Sequence, residues 1–333
     1  MKAPVELFER PSVLRPAGDA AQTIAGLSIE LMVGAALIFL LVMMLLAWAV
    51  VRSGAKPGLH PRWLVYGGGL VLPTAVVTAL LIHGYERTPA WQPPPQDDAL
   101  IVGVTAHLYW WELRYRDPVS GREVVTANEL HLPVGRPVRL GLSSADVIHS
   151  FWVPALAGKV DMVPGRVNHL LVKASRAGVF RGQCAEFCGE QHARMALHVV
   201  AEPPAAFDAW LAGQGEPAAA LPEPADVPDP PGAPPARLQA AELVQGRQVF
   251  LEQRCNACHS VRGVAEEARL GPDLTHVGSR LYLGAGTLAN QPANMAHWVA
   301  HTQTVKPGAR MPSALALEPA ALRALAAWLS SLK

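Results

Sequence analysis

Cysteine and charge are both scarce in this chain of 333 residues. There are only four cysteines, and Asp, Glu, Lys and Arg make up 17% of the sequence with a formal net charge of +1. A net charge near zero gives no sign of a nucleic-acid partner. The cysteines form two close pairs beside histidines, which indicates cofactor binding and leaves none for a structural disulfide. Apolar residues, at half of the sequence, and 30 prolines instead indicate membrane segments and long irregular stretches.

Two apolar runs near the N-terminus predict a transmembrane helical hairpin over residues 23–84, with helices at about 24–51 and 63–83. At 1.5 Å per residue the first run is long enough to cross a hydrocarbon core of ~30 Å. Residues 1–22 contain neither an apolar signal region nor a lipid-acceptor cysteine, so we expect them to remain as a periplasmic segment. Glu30 interrupts the first run near its outer end, and the sequence leaves its role open.

The break between the two apolar runs carries Arg52, Lys56 and Arg62 without any acidic residue. Positive charge of this kind marks the cytoplasmic side of a membrane protein. We therefore expect a multi-pass protein of a bacterial inner membrane, with everything after the second helix on the periplasmic side.

A short segment, CAEFCGEQHARM, concentrates soft metal ligands. Cys184, Cys188, His192 and Met195 offer two thiolates, an imidazole and a thioether, which suit copper. His149, at the start of a predicted buried strand in HSFWVP, is the best candidate for a ligand from elsewhere. One Cys, two His and a weak Met would describe a single blue-copper ion, and the extra thiolate indicates two copper ions bridged by two sulfurs. A Cys184–Cys188 disulfide is the alternative, but it does not explain the spacing.

The segment around these ligands has the pattern of a small β-domain. Between residues 99 and 201, apolar or alternating stretches are separated by turn signals such as RDPVSGRE and LPVGRP. Several short strands with Pro and Gly turns indicate a β-sandwich or barrel. We assign residues 85–212 to this domain.

A change of composition separates the β-domain from a helical one. Residues 213–236 are rich in Pro and Ala and predict an extended linker, since such a stretch cannot bury a core. Residues 237–333 then show three helical patterns. The sequence therefore predicts two folded modules held close together by a tether.

The helical domain contains C-x-x-C-H, the attachment site of a c-type haem, in which Cys255 and Cys258 form thioether links and His259 is an axial ligand. Met311, in a loop further along, is the predicted sixth ligand, because Met commonly fills that position and raises the potential. A zinc site or a thioredoxin-like motif is the alternative for C-x-x-C, and the adjacent His disfavours both. Four other residues rank below Met311 as the sixth ligand: His276, Met295, His297 and His301.

The motif C-x-E-x-C-x3-H-x2-M, together with HSFWVP and KVDMVPGRVN, resembles the copper A domain of subunit II of respiratory cytochrome c oxidase. With the haem domain fused to its C-terminus, the whole chain resembles the caa-type enzymes. The resemblance implies a cupredoxin-like Greek-key barrel followed by an all-α class I cytochrome c domain. The copper ligands that it implies are His149, Cys184, the backbone carbonyl of Glu186, Cys188, His192 and Met195. It also implies that the Glu186 carboxylate reaches a magnesium ion shared with subunit I.

The resemblance further implies that Tyr109, Trp110 and Trp111 admit electrons to the copper pair. Many members of the family have Trp where this chain has Tyr109, so docking of a soluble cytochrome c is in doubt. Many also have a glutamate at the mouth of a proton channel where this chain has Tyr66, and we assign no proton-entry role to this subunit.

The function implied by the resemblance is electron transfer within a respiratory terminal oxidase. Electrons from cytochrome c or a component of complex III would pass through haem c and copper A to subunit I, where oxygen is reduced to water with proton pumping. The expected partners are subunits I and III and membrane lipid, and the oxidoreductase label belongs to the whole complex. Two alternatives stay open: a copper A subunit of a nitric oxide reductase, and a membrane-anchored copper chaperone.

Overall fold

The computed structural model describes residues 8–9, 12–52, 61–91, 99–116, 121, 123–221 and 236–333. These residues form a pair of long apolar helices, a β-domain and a helical domain. Most of the basic segment between the two apolar runs, and residues 222–235 of the predicted linker, lie outside the described residues.

The membrane hairpin is built from two helical spans. Helix α1 is Asp19–Val51 and helix α2 is Leu72–Trp91, the latter preceded by a helical turn at Pro61–Trp63 and a π-helical stretch at Leu64–Val71. The segments Asp19–Val51 and Leu64–Arg87 are long and apolar enough to span a membrane, and their most apolar windows have no buried residue within the chain. Their side chains are therefore free to contact lipid.

Each helical span extends beyond the predicted range at one end or both. Helix α1 begins at Asp19, before the predicted start at residue 24, since an acidic residue is favourable in the first turn of a helix. Helix α2 continues past residue 83 to Trp91. The extra turns carry the partners of Glu30: His83 Nε2 lies 2.7 Å from Glu30 Oε2, and Arg87 donates to Glu30 Oε1 at 3.2 Å. The glutamate inside the apolar run is thus paired within the hairpin.

The β-domain contains eleven of the thirteen strands in the described part of the chain. They are β1 (Phe8–Glu9), β2 (Leu100–His107), β3 (Trp110–Arg116), β4 (Glu123–Ala127), β5 (Glu129–Pro133), β6 (Val138–Ser144), β7 (His149–Trp152), β8 (Val160–Met162), β9 (Asn168–Val172), β10 (Gly178–Cys184) and β11 (Ala196–Glu202).

The strands form two sheets that enclose one core. One sheet has the order β5-β11-β10-β7-β8 with β1 paired to β10, and the other has the order β4-β3-β2-β6-β9. Strands distant in sequence are neighbours, such as β2 and β6, which is the connectivity of a Greek-key sandwich rather than a meander. Alternating burial along β2 and β6 turns one face of each strand into the core. This confirms the predicted cupredoxin-like fold.

Helix α3 (Pro204–Gly215) follows the last strand of the β-domain, so the helix occupies the first residues of the predicted linker. Phe207 and Leu211 are buried on the side of α3 that packs on the β-domain. Beyond α3, the Ala218 amide donates to the carbonyl of Arg262 at 3.0 Å, so the start of the linker already contacts the C-terminal domain.

The C-terminal domain is helical, as predicted. Its elements are α4 (Ala236–Glu252), the short strands β12 (Tyr282–Leu283) and β13 (Leu288–Ala289), α5 (Pro292–Val305) and α6 (Pro319–Ser331). Phe250 of α4 packs on Trp328 of α6 with ring centroids 5.0 Å apart. Gly246 lets these helices approach closely, because a Cβ there would collide with the carbonyl of Ala324.

Candidate metal and haem centres

The ligand types predicted for copper converge at one end of the β-sandwich. His149, Cys184 and Cys188 place their ligand atoms within 4.8 Å of one another, and all three residues are buried. The further distances from the two sulfurs are Cys184 Sγ to Cys188 Sγ 3.8 Å, Cys184 Sγ to His149 Nδ1 3.9 Å, Cys184 Sγ to Glu186 O 3.1 Å, Cys188 Sγ to His192 Nδ1 3.7 Å and Cys188 Sγ to Met195 Sδ 3.9 Å. Two sulfurs therefore lie at the centre of the predicted set. Both cysteines are free, so the disulfide alternative is wrong for this structure.

Strand pairing explains why residues far apart in sequence meet here. His149 begins β7 and Cys184 ends β10, and these antiparallel strands pair with Phe151 opposite Cys184. The Cys184 amide donates to the Met195 carbonyl at 2.9 Å, which closes the loop between β10 and β11. The loop thus begins and ends beside the strand that carries His149.

Asp146, which the sequence analysis missed, orients the imidazole of His149. His149 Nε2 donates to Asp146 Oδ1 at 2.8 Å, so Nδ1 is the ring atom that faces Cys184. The same carboxylate accepts the amides of Leu108 at 2.8 Å and Val147 at 2.9 Å. A carboxylate that holds the far nitrogen of a ligand histidine is a common supporting feature of metal sites. Its sequence signal was the Asp three residues before the His.

The electrostatics of the cluster favour the thiolate form of Cys184, which is the form of cysteine that binds metals. A hydrogen bond from Cys188, with others from His149 and backbone amides, lowers the pKa of the Cys184 thiol to about 3. The same shared proton raises the pKa of Cys188. Burial opposes protonation of His149, but its bonds to Asp146 and Cys184 outweigh burial and raise the pKa of His149 to about 9. These shifts favour a Cys184 thiolate beside a protonated His149, so binding of a metal by both cysteines and His149 would release protons.

The three aromatic residues of the predicted electron-entry stretch occupy different environments. Trp111 is fully buried and packs edge-on against Phe151 at 5.7 Å, so its side chain belongs to the core next to His149. Trp110 is half-buried and stacks on His107. Tyr109 lies over the loop of residues 184–195, which carries the predicted copper ligands and is called the copper loop below. The Tyr109 hydroxyl would be 2.7 Å from a Cβ placed on Gly189 of this loop.

The C-x-x-C-H motif forms a tight turn at the end of α4. Cys255 begins a single 3-10 turn, and Cys258 is exposed. His259 Nδ1 donates to the Pro272 carbonyl at 2.8 Å, which leaves Nε2 as the ring atom with a lone pair. Burial is the main reason that the pKa of His259 is lowered, so the imidazole is neutral at pH 7. Gly271 provides room for this ring, since a Cβ there would lie 2.7 Å from His259 Cε1.

The alternatives to Met311 as the sixth haem ligand have other roles in the structure. Met295 is buried in the domain core, and His276 Nε2 lies 3.1 Å from the Glu216 carbonyl. His297 and His301 lie together on α5 with ring centroids 5.0 Å apart. Met311 is partly buried at the edge of the core, in a loop whose backbone is bonded to Gln303. Met311 as the sixth ligand therefore stays a prediction.

The comparisons with known proteins agree with these two centres. Residues 101–202 match the family described as cytochrome c oxidase subunit II, periplasmic domain, and residues 243–333 match the cytochrome c family. Cytochrome c oxidase subunit 2 of Alkalihalophilus pseudofirmus is 33% identical over 338 residues, covering 98% of this chain and 92% of the relative. The corresponding subunit of Bacillus sp. strain PS3 is 31% identical over 282 residues, covering 81% of this chain and 73% of the relative.

A solved structure is also similar. The periplasmic domain of subunit II of the cytochrome oxidase of Bradyrhizobium japonicum is 31% identical, with a TM-score of 0.34. The match covers 36% of this chain and 96% of that chain.

Proposed function

Because this chain belongs to the cytochrome c oxidase subunit II family, we propose that it carries electrons from its own haem c to a binuclear copper A centre and on to subunit I. Family membership makes the chain a membrane-anchored part of a terminal oxidase complex, which is an oxidoreductase. The fused cytochrome c domain makes it an electron-transfer subunit. The direction of transfer and the identity of the ligands are the parts that we propose.

The observation that carries the proposal is the direct packing of the haem domain on the copper loop. Arg194, between two predicted copper ligands, donates to the Val305 carbonyl of α5 at 2.7 Å. The Ala196 amide donates to the Ala285 carbonyl at 3.1 Å. Both contacts join the copper loop to the domain with the C-x-x-C-H motif. A donor domain seated on an acceptor loop is the arrangement that short-range electron transfer needs.

The donor set of the copper loop fits the proposed metal. The sulfurs of Cys184 and Cys188 lie 3.8 Å apart, His149 lies beside the first and His192 beside the second, and these four side chains would hold two copper ions. The Met195 thioether and the Glu186 carbonyl complete the set. When bound, copper A supplies a one-electron redox couple. The role of the protein is to hold these donors on the paired strands β7 and β10 and on the loop after β10, with both sulfurs buried away from water.

The residues that would hold the haem are proposed on the same kind of evidence, namely their chemistry and their hydrogen bonds. We propose covalent attachment at Cys255 and Cys258, with His259 and Met311 as axial ligands. The hydrogen bond from His259 Nδ1 to the Pro272 carbonyl leaves Nε2 as the ring nitrogen that would hold the iron. The Glu186 carboxylate remains our proposed link to magnesium at the boundary with subunit I.

The remaining face of the copper loop provides a surface for subunit I. Phe187 projects from the loop with 75% of its surface exposed. A cleft beside it is bordered by Ile24 of α1, Trp152, Lys159 and His192. We place this face toward subunits I and III, with the two redox domains on the periplasmic side of a bacterial inner membrane. Oxygen reduction and proton pumping then take place in subunit I.

Electron paramagnetic resonance and copper stoichiometry of the purified complex test the proposal. Two copper ions per chain, with the unpaired electron shared by both nuclei, are the expected result, together with one covalent haem. One ordinary copper ion per chain would favour a copper chaperone. Nitric oxide consumption without oxygen uptake would instead identify the complex as a nitric oxide reductase.

A further inference from the structure

Lys306 is a buried lysine at the contact between the two redox domains. It follows α5 and only 2% of its surface is exposed. Its ammonium group donates to three backbone carbonyls: Tyr109 at 2.8 Å, Arg194 at 3.0 Å and Gly284 at 3.0 Å. A lysine ammonium has three donors, so each of them finds an acceptor. Among the described residues, no carboxylate forms an ion pair with it.

The three carbonyls belong to three functionally distinct segments. Tyr109 lies in the predicted electron-entry stretch, and its ring packs over Gly189 of the copper loop. Arg194 lies between His192 and Met195 in that loop. Gly284 belongs to the cytochrome c domain, in the turn that joins β12 to β13. One side chain therefore ties the haem domain to two parts of the copper domain at once.

Burying a lysine is costly, so its position calls for a physical reason. Lysines are almost never fully buried without a partner, because the charge must leave water. Burial lowers the pKa of Lys306 to about 7. Within the cytochrome c domain, only the Gly284 carbonyl is bonded to this ammonium group, and the other two bonds exist only when the domains are packed together. The bonding is complete in the docked arrangement alone.

We propose that Lys306 is a positioning residue that fixes the cytochrome c domain on the copper loop in a single orientation for electron transfer. The inference rests on the proposed function, since positioning matters only if electrons pass between the two domains. Undocking would leave the ammonium group near one carbonyl and expose the other two. The bonds that Lys306 forms across the interface therefore favour the docked state.

Lys306→Met tests the proposal, because methionine has a similar length and no donor. In the purified oxidase complex, we expect the amides at the domain contact, in peptides covering 194–197 and 281–287, to exchange with deuterium at least ~10-fold faster. Tenfold corresponds to about 1.4 kcal/mol of docking free energy and lies within the cost of leaving buried carbonyls unpaired. Exchange in strand β2, inside the sandwich, should not change. Lys173→Met is the matched control: this lysine directly follows β9, is partly exposed and pairs with Asp19 of α1, and its loss should leave all of these rates unchanged.

The second readout is the rate at which the copper centre is reduced after photoreduction of haem c by a soluble ruthenium complex. Lys306→Met should slow this step several-fold while the haem spectrum and the copper resonance stay as in the wild type. Wild-type exchange together with wild-type transfer in Lys306→Met overturns the positioning role. If the wild-type complex itself shows no haem-to-copper transfer, the proposed function fails instead. If the Lys306→Met complex does not assemble, Lys306→Gln replaces it, because glutamine retains a donor without the charge. Lys306→Gln should then show faster exchange at the domain contact and slower copper reduction, both to a smaller extent.

Discussion

The carboxylate of Asp146 allows a direct test of how the proposed copper ligand His149 is supported. It accepts three hydrogen bonds: His149 Nε2 and the Val147 amide on one oxygen, and the Leu108 amide on the other. In Asp146→Asn one of these oxygens becomes an amino group, which can only donate. If the remaining oxygen still accepts from His149, the new NH2 group faces the backbone N–H of Leu108, and two donors oppose each other. If the Asn side chain is rotated the other way, its NH2 group faces His149, which then has no acceptor.

Either orientation weakens the support of His149, and the magnitude follows from comparable sites. Removing such a second-layer partner typically reduces metal affinity ~10- to 100-fold, which corresponds to about 1.4 to 2.7 kcal/mol. Chelator competition on the purified protein measures the affinity, and electron paramagnetic resonance reports the geometry of the site. We expect weaker copper binding and an altered resonance for Asp146→Asn.

The control is Asp208→Asn, which changes an exposed aspartate on α3 and should leave copper binding as it is in the wild type. A copper affinity and resonance for Asp146→Asn equal to those of the wild type would refute the reasoning. His149 would then be oriented by packing against Trp111 rather than by its hydrogen bond.

Three further predictions concern the haem and the sandwich. Met311→Ala should lower the haem reduction potential, because a thioether ligand raises it, and leave the copper resonance unchanged; a spectrum that still shows Met ligation would assign the ligand to another methionine. Gly271→Ala should reduce the yield of haem-bearing protein, because the new Cβ would lie 2.7 Å from His259 Cε1, whereas Gly213→Ala, with open space around it, should not. Burial lowers the pKa of His131, but hydrogen bonds that its ring donates to the carboxylates of Glu129 and Glu202 outweigh burial and raise the pKa above 6.5. The stability that these bonds contribute is complete below that pH and is lost as pH rises through the folded-state pKa. Thermal unfolding should show this loss in the wild type, and His131→Phe should lack it.

The sequence was sufficient for those parts of the site whose signal lies in local spacing. Cys184 to Met195 form one loop, and the turn signals and alternating stretches around it predicted the sandwich that holds it. His149 could be added because a strand start beside a buried run has a predictable place at the end of such a sandwich. The structure brings these ligand types together, as the pairing of β7 with β10 requires.

What the sequence did not reveal depends on tertiary contacts between distant segments. Glu30 looked like an isolated acid in a membrane helix, and only the packing of α1 on α2 places His83 and Arg87 beside it. Lys306 has no motif at all, since its three acceptors are backbone carbonyls, which every residue possesses. Patterns of side chains predict side-chain sites, but they carry no information about carbonyls that meet a buried ammonium group.

The interface also changes how the fusion of the two domains is understood. A tether alone raises the local concentration of donor to ~mM and leaves its orientation free. Here backbone bonds such as Ala196 to Ala285, and the bond from the Leu281 amide to the Glu129 carboxylate, fix the orientation as well. The carbonyl of Tyr109 is already occupied by Lys306. If residues 109–111 admit electrons, as the resemblance implies, the attached cytochrome c domain is the donor already in contact with them, and a soluble donor would compete with it at Tyr109.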